Sequence, residues 1–154
     1  MNKFVGTTDT FVVRYWTKNN IPPVAARYLG APIHPIRPKI VHMLAHRDKN
    51  TLWWRVSVNK LLPYKRVVRS WCARRVRIAF EEALRQQGLD RLGKRIPESS
   101  AQKNLTGSME IYIQVPCVVQ SFEDIRKDAN KVMAELMAHQ SAHESAAPNA
   151  QTPR

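Results

Sequence analysis

The chain of 154 residues carries 25 lysines and arginines against 12 aspartates and glutamates, for a formal net charge of +13. Its 44% hydrophobic content excludes a chain too polar to bury a core. It has no apolar run near the roughly 20 residues of a transmembrane helix and no secretory-signal pattern, so we expect no membrane span. Its two cysteines, Cys72 and Cys117, lie outside any CxxC pattern and are predicted to be reduced core thiols rather than a disulfide scaffold.

The positive charge is concentrated in one stretch of the chain. Between Asp9 and Glu81, fifteen lysines and arginines accompany a single acidic residue, Asp48. A fold with this charge repels itself unless a polyanion neutralises it, and a phosphate backbone is the commonest such polyanion. A solvated basic face is the simpler alternative, but the charge density favours an RNA partner.

The first 50 residues are predicted to form a basic, proline-rich extension. Thr10–Trp16 is rich in β-branched and aromatic residues and predicts a short strand. Pro22–Leu29 predicts a short helix that begins at proline. The three prolines within Ala31–Pro38 predict an extended segment, and Ile40–Arg47 favours a short helix.

A compact β-α-β-α core is predicted for residues 51–138. Leu52–Val58 predicts a strand with Trp54 on one face and the Trp53–Arg55 pair on the other. Tyr64–Gln87 is the strongest helix, because Gly88 follows it as a typical terminator. Residues 89–105 are predicted to form a long basic loop.

The second half of this core begins with an alternating pattern. Ser108–Pro116 predicts a strand whose inward residues end with Val115. Ser121 is predicted to cap the final helix, with Asp124 three residues later as a variant of the capping box. Residues 139–154, rich in Ala, Ser, His and Pro, are predicted to be a disordered tail.

These elements predict a small α+β (or α/β) domain. A short sheet would carry two helices on one face, with the proline-rich extended segment before it and the disordered tail after it. The predicted divisions are 1–50, 51–138 and 139–154.

Catalytic and metal-binding patterns are missing from the sequence. It has no glycine-rich phosphate loop, no GxSxG and no HExxH, and adjacent carboxylates such as Glu81-Glu82 are typical of helix surfaces. His42 and His46 have the spacing of two metal ligands, but no third ligand is evident, so surface histidines are the better interpretation. We predict no enzyme activity, cofactor, metal site or small-molecule substrate.

Cations interleaved with aromatic residues are the positive functional signal, because arginine binds phosphate and rings stack on unpaired bases. We predict a structural RNA-binding component of a ribonucleoprotein, most simply a mitochondrial ribosomal protein that contacts rRNA and neighbouring ribosomal proteins. The predicted RNA-contacting residues are eleven cations and one tryptophan: Arg37, Lys39, Arg55, Lys65, Arg66, Arg69, Trp71, Arg74, Arg77, Arg91, Lys94 and Arg95.

Two alternatives stay open at the level of sequence. One is a protein-interaction adaptor with a basic face, supported by a second apolar strip on the long helix at Val67, Trp71 and Ile78. The other is a DNA- or chromatin-binding protein. A mitochondrial matrix location is an expectation from composition alone, and cytoplasmic and nuclear locations stay open.

Overall fold

The computed structural model describes residues 3–98 and 103–146. Within these residues, the strands are β1 (Lys3–Thr7), β2 (Phe11–Trp16), β3 (Leu52–Ser57) and β4 (Gly107–Ile113). The α-helices are α1 (Pro23–Leu29), α2 (Arg37–His46), α3 (Arg66–Gln86) and α4 (Phe122–Ala146). Short 3-10 turns at Asn59–Leu61 and Val115–Val118 follow β3 and β4.

The strands form one mixed sheet in the order β1-β2-β4-β3. β1 and β4 each pair antiparallel with β2, whereas β3 and β4 run parallel. A parallel pair needs a crossover connection, and α3 supplies it. The predicted α+β fold, a short sheet with two helices on one face, is confirmed.

The core lies between this sheet and the helices α3 and α4. Alternate residues of β2 and β4 are buried on the helix side, and Phe11 of β2 packs edge-to-face on Phe80 of α3 with ring centroids 5.0 Å apart. The predicted stripe of α3 is buried from Cys72 to Ala83. Cys72 and Cys117 are both buried and free, as predicted.

Local signals explain the ends of the two long helices. Gly88 follows α3 with a φ of 78°, and the Leu89 N–H donates to the carbonyl oxygen of Leu84 at 2.9 Å. This is the left-handed exit that glycine favours. At the start of α4, the Ser121 hydroxyl oxygen accepts the Asp124 N–H at 3.2 Å, so the predicted cap is confirmed.

The prediction of an extended segment over Ala31–Pro38 was wrong. The His34 N–H donates to the carbonyl oxygen of Ala31 at 3.2 Å, and the Arg37 N–H donates to that of His34 at 3.0 Å. The segment is therefore a pair of turns that runs into α2, where Pro38 occupies the first turn. Proline is tolerated there because the first N–H groups of a helix have no partner within it.

The predicted ends of β4 and α4 also need correction. β4 ends at Ile113, and Val115 lies in the following 3-10 turn with 45% of its surface exposed. α4 continues past His139 to Ala146, because the His139 ring packs against Phe4 of β1 with centroids 5.4 Å apart. Residues 147–154 of the predicted tail lie outside the described residues.

The sheet contains strands from both sides of the predicted division at residue 50: β1 and β2 precede it, and β3 and β4 follow it. β2 pairs with β4 along its whole length, from Phe11 opposite Ile113 to Trp16 opposite Ser108. The strand β1 has no counterpart among the sequence predictions. The β1–β2 hairpin is thus part of the same sheet as the predicted 51–138 core.

Candidate nucleic-acid interface

The strand β3 is an edge strand of the sheet: β4 pairs with one of its edges, and no described strand of the sheet pairs with the other, outer edge. The Leu52 N–H points away from β4 and donates to the carbonyl oxygen of Leu92 at 2.8 Å. Since alternate residues of a strand direct their backbone groups to opposite edges, Trp54 and Val56 present their N–H and C=O groups to this same outer edge.

Two adjoining cavities of about 780 and 370 Å³ follow this edge, and both are lined by Val56 and Arg77. We call the combined depression the β3 groove. Its floor is apolar and includes Leu52 and Val58. Its walls carry eight arginines: Arg47, Arg55, Arg66, Arg69, Arg74, Arg77, Arg85 and Arg91. Among the lining residues of these two cavities, Asp90 is the one carboxylate.

The helix α3 places five of these arginines along the groove. Arg66 and Arg77 are separated by eleven residues, which is close to three helical turns, and so are Arg74 and Arg85. Each pair therefore lies on one side of the helix. From Arg66 to Arg85 the helix rises by about 28 Å, so the cations form a row along the groove.

Most of this row is not neutralised by the protein. In the part of the chain that the structure describes, no ion pair involves Arg66, Arg74, Arg77 or Arg85. The Nε of Arg69 is buried and has no hydrogen-bond partner there. A buried donor without a partner costs free energy, which an anion in the groove would recover.

Two groove arginines do have carboxylate partners. Arg55 pairs with Glu110 of β4 at 2.9 Å, and Arg91 pairs with Glu81 of α3 at 3.2 Å. Both guanidinium groups therefore lie beside a carboxylate at the groove wall, and the Arg55 pair is the more buried of the two.

The structure brings together half of the predicted contact residues. The groove is lined by six of them: Arg55, Arg66, Arg69, Arg74, Arg77 and Arg91. Lys65 is exposed at the N-cap of α3, beside Arg66. Arg37 and Lys39 are exposed on α2, away from the groove lining.

The remaining predicted residues have other surroundings. Lys94 pairs with Asp48 at 3.1 Å, and Arg95 is exposed, with its backbone N–H donating to the Asn104 side chain at 2.7 Å. Trp71 lies outside the lining of the groove, and the guanidinium of Arg75 covers its ring at 4.1 Å.

Arg47 and Arg85 line the groove but were not among the predicted contacts. Arg85 could have been found, because it lies three turns from Arg74 on the same helix. Arg47 follows α2, and its guanidinium stacks over the ring of Trp53 at 4.2 Å. Burial lowers the pKa of Arg47, although arginine stays charged at physiological pH. No local sequence pattern indicates that contact.

The tryptophans beside Arg55 are occupied within the protein. Trp53 is 7% exposed beneath Arg47, and its Nε1–H donates to the carbonyl oxygen of Asp48 at 3.0 Å. Trp54 packs against the core, and its Nε1–H donates to the carbonyl oxygen of Arg91 at 2.9 Å. Of the described residues that line the groove, Trp54 is the one aromatic residue, so the groove offers a ligand mainly positive charge.

Among the described residues, no three His, Cys, Asp or Glu side chains are grouped to hold a metal ion, and no helix has the length and apolarity to cross a membrane. The rings of His42 and His46 lie against each other on α2, with their centroids 4.0 Å apart. Comparisons with protein-family models, curated proteins and solved structures find no match to this chain.

Proposed function

We propose that the chain is a structural, non-catalytic RNA-binding protein that binds phosphate groups in the β3 groove. The observation that carries the proposal is that eight arginines line one groove together with a single carboxylate. Arginine binds phosphate in a bidentate manner through a planar fork of N–H donors.

The shape of the groove favours a long polyanion over a small anion. The α3 arginines extend over about 28 Å, whereas one phosphate contacts one or two guanidinium groups. A nucleic-acid backbone presents a charge every few ångströms, so several phosphates can bind along this length. Six of the eight groove arginines have no ion pair among the described residues. The four of these that are exposed on α3 are the strongest candidates for phosphate contacts: Arg66, Arg74, Arg77 and Arg85.

The direct test neutralises two groove cations. We expect Arg74→Gln/Arg77→Gln to weaken binding of a structured RNA about 10-fold near 0.1 M salt, because two phosphate contacts and their released counterions are lost. The slope of log affinity against log salt should fall by roughly 1.5 for the same reason. Fluorescence anisotropy across a salt series measures both quantities.

The matched control removes the same charge far from the groove. Lys127 and Lys131 are exposed on α4, so Lys127→Gln/Lys131→Gln lowers the net charge equally. We expect a small loss of affinity in this control and no loss of melting temperature in either variant. Equal losses in the two variants would contradict a localised site. Preference for duplex DNA over RNA of the same sequence would favour the DNA-binding alternative.

The ribosome and the mitochondrial matrix remain sequence predictions. We propose them as the assembly and compartment because a basic fold with few neutralising carboxylates suits rRNA. Sedimentation of the tagged chain with a ribosomal subunit, lost after RNase treatment, tests the first. Fractionation of the cell tests the second.

A second class of partner is favoured by exposed apolar side chains on α3. Val67 is 79% exposed and Trp71 48% exposed, and Val119 after the 3-10 turn is 87% exposed. The Arg75 side chain connects α3 to the segment that follows the 3-10 turn. Its guanidinium covers Trp71 and donates to the carbonyl oxygen of Gln120 at 2.6 Å. Such a surface suits contact with a neighbouring protein, the adaptor alternative.

A further inference from the structure

The sheet has a second face that α3 and α4 do not cover. The side chains of this open face form three rows across the strands, as the strand register defines. The central row contains Arg55, Glu110 and Arg14. The outer rows contain Trp53, Ser108, Trp16 and Lys3 on one side, and Ser57, Tyr112, Val12 and Thr7 on the other.

Aromatic rings and cations lie next to each other on this face. The Arg14 guanidinium stands 5.0 Å from the centroid of the Tyr112 ring, and the Lys3 ammonium stands 5.9 Å from that of Trp16. Both rings are half-buried, and the neighbouring Val5 is 50% exposed. A planar group thus already lies over Tyr112, and a nucleobase is a planar group that stacks on a ring or on a guanidinium in the same way.

The central row holds the tyrosine ring in place. The Tyr112 hydroxyl donates to the Glu110 carboxylate, which also pairs with Arg55 at 2.9 Å. Arg55 lines the β3 groove, so this chain of contacts connects the groove to the open face. An RNA strand bound in the groove can continue over the open face across Arg55.

The α1–α2 segment limits which rings are accessible. The Asn20 N–H donates to the Ser108 hydroxyl at 2.6 Å, and Trp53 is only 7% exposed beneath Arg47, so the Trp53 ring is not accessible to a base. Trp16 and Tyr112 remain on the β2–β4 side. Trp16 lies opposite Ser108 of β4, and Ser108 is four residues from Tyr112 on the same strand. Along the strand direction, the positions of Trp16 and Tyr112 are therefore about 13 Å apart. One base cannot contact both rings at this distance.

On the basis of the RNA binding proposed above, we propose that the open face binds a single-stranded RNA segment through two unpaired bases. One base stacks on Trp16, and the other takes the place of the Arg14 guanidinium over Tyr112. Arg14, which lies between the two rings on β2, then contacts a phosphate between the two bases. Duplex RNA keeps its bases paired and cannot make these contacts, so the open face discriminates between the two forms.

The test compares apolar and aromatic replacements in the full chain. The probes are a 12-nucleotide single-stranded RNA and a 12-base-pair RNA duplex of the same composition. Trp16→Leu and Tyr112→Leu retain apolar bulk but remove the ring, and each should weaken single-strand binding about 5- to 100-fold. Trp16→Phe and Tyr112→Phe keep a ring, and the second removes only the hydroxyl bond to Glu110, so both should bind within a few-fold of the wild type.

Duplex binding separates this inference from the proposed function. We expect the leucine variants to bind the duplex as the wild type does, while Arg74→Gln/Arg77→Gln loses affinity for both RNAs. Leucine variants with wild-type single-strand affinity, or with equal losses on both RNAs, would overturn the stacking and leave the groove intact. Failure of the wild type to bind either RNA would overturn the proposed function itself.

Crosslinking gives a measurement that does not depend on the folding of a variant. Ultraviolet irradiation of the wild-type chain with the single-stranded RNA should attach nucleotides to the peptides that contain Trp16 or Tyr112. Crosslinks confined to other peptides would contradict the proposal.

Discussion

Tyr15 shows how one residue can join three distant parts of the chain. It is buried at 3% exposure in β2, its hydroxyl donates to the carbonyl oxygen of Thr106 at 2.5 Å, and it accepts from Nε2 of Gln140 at 2.6 Å. Its partners lie 91 and 125 residues away, and no local pattern could identify them.

The hydroxyl of Tyr15 gives a prediction about stability. Tyr15→Phe should lower the free energy of unfolding by about 1–2 kcal/mol at pH 7, because two half-buried partners, Thr106 and Gln140, lose a hydrogen bond. Burial raises the pKa of Tyr15 to about 12 from 10.0. Since the folded state holds the proton more tightly, this stabilisation is complete below pH 10 and is lost as pH rises towards 12.

Urea unfolding of the wild type and Tyr15→Phe between pH 7 and pH 11.5 measures this difference. The gap between the two proteins should narrow above pH 10. A constant gap over the whole range would show that the folded and unfolded states ionise Tyr15 equally.

At the scale of elements, residues with strong local signals were predicted well and residues ordered by distant contacts were not. α3 was predicted within a few residues because its apolar stripe from Cys72 to Ala83 is regular and Gly88 ends it. β1 was missed because its five residues are too few for a clear alternation. The last turns of α4 were missed because their order depends on contacts such as His139 with Phe4.

The candidate site follows the same rule. The α3 arginines were predicted because they lie on one helix, and helical spacing shows that they share a side. The groove itself could not be predicted, since it forms only where the β3 edge lies beside α3 and the loop that follows. Arg47 reaches it from α2 through its contact with Trp53, which depends on tertiary structure.

The loop after α3 provides a prediction at this scale. Gly93 has a φ of 74°, and its carbonyl oxygen accepts the Leu105 N–H at 2.7 Å. A Cβ at this position would lie 2.8 Å from the Cβ of Leu52 and closer still to the carbonyl oxygen of Leu105. Gly93→Ala should therefore destabilise the fold by about 3 kcal/mol or more, as strain and steric overlap add.

Gly30 offers the control for this change. It closes α1 with a φ of −71°, and its added Cβ would make only an ordinary 3.5 Å contact with the carbonyl oxygen of Ala26. Gly30→Ala should change stability by less than about 1 kcal/mol. Similar melting temperatures for the two variants would contradict the tight packing of the Gly93 turn against β3.

For the whole molecule, the net charge of +13 opposes the compact state. Added salt screens this repulsion, so the free protein should melt at a higher temperature in 0.5 M than in 0.05 M sodium chloride. RNA should raise the melting temperature further at low salt, because a ligand that binds only the folded state stabilises it. This increment should vanish at high salt as the RNA dissociates.

The groove variant distinguishes functional from structural charge in the same experiment. Arg74→Gln/Arg77→Gln removes two of the thirteen net positive charges, so without RNA it should melt at or above the wild-type temperature at low salt. Its RNA-induced increment should be smaller, since fewer phosphates are bound. Differential scanning fluorimetry with and without RNA measures both effects. Removing like charges relieves repulsion, so by itself it cannot destabilise the free protein. A variant that melts below the wild type at every salt concentration would therefore assign Arg74 and Arg77 to the stability of the fold rather than to RNA binding.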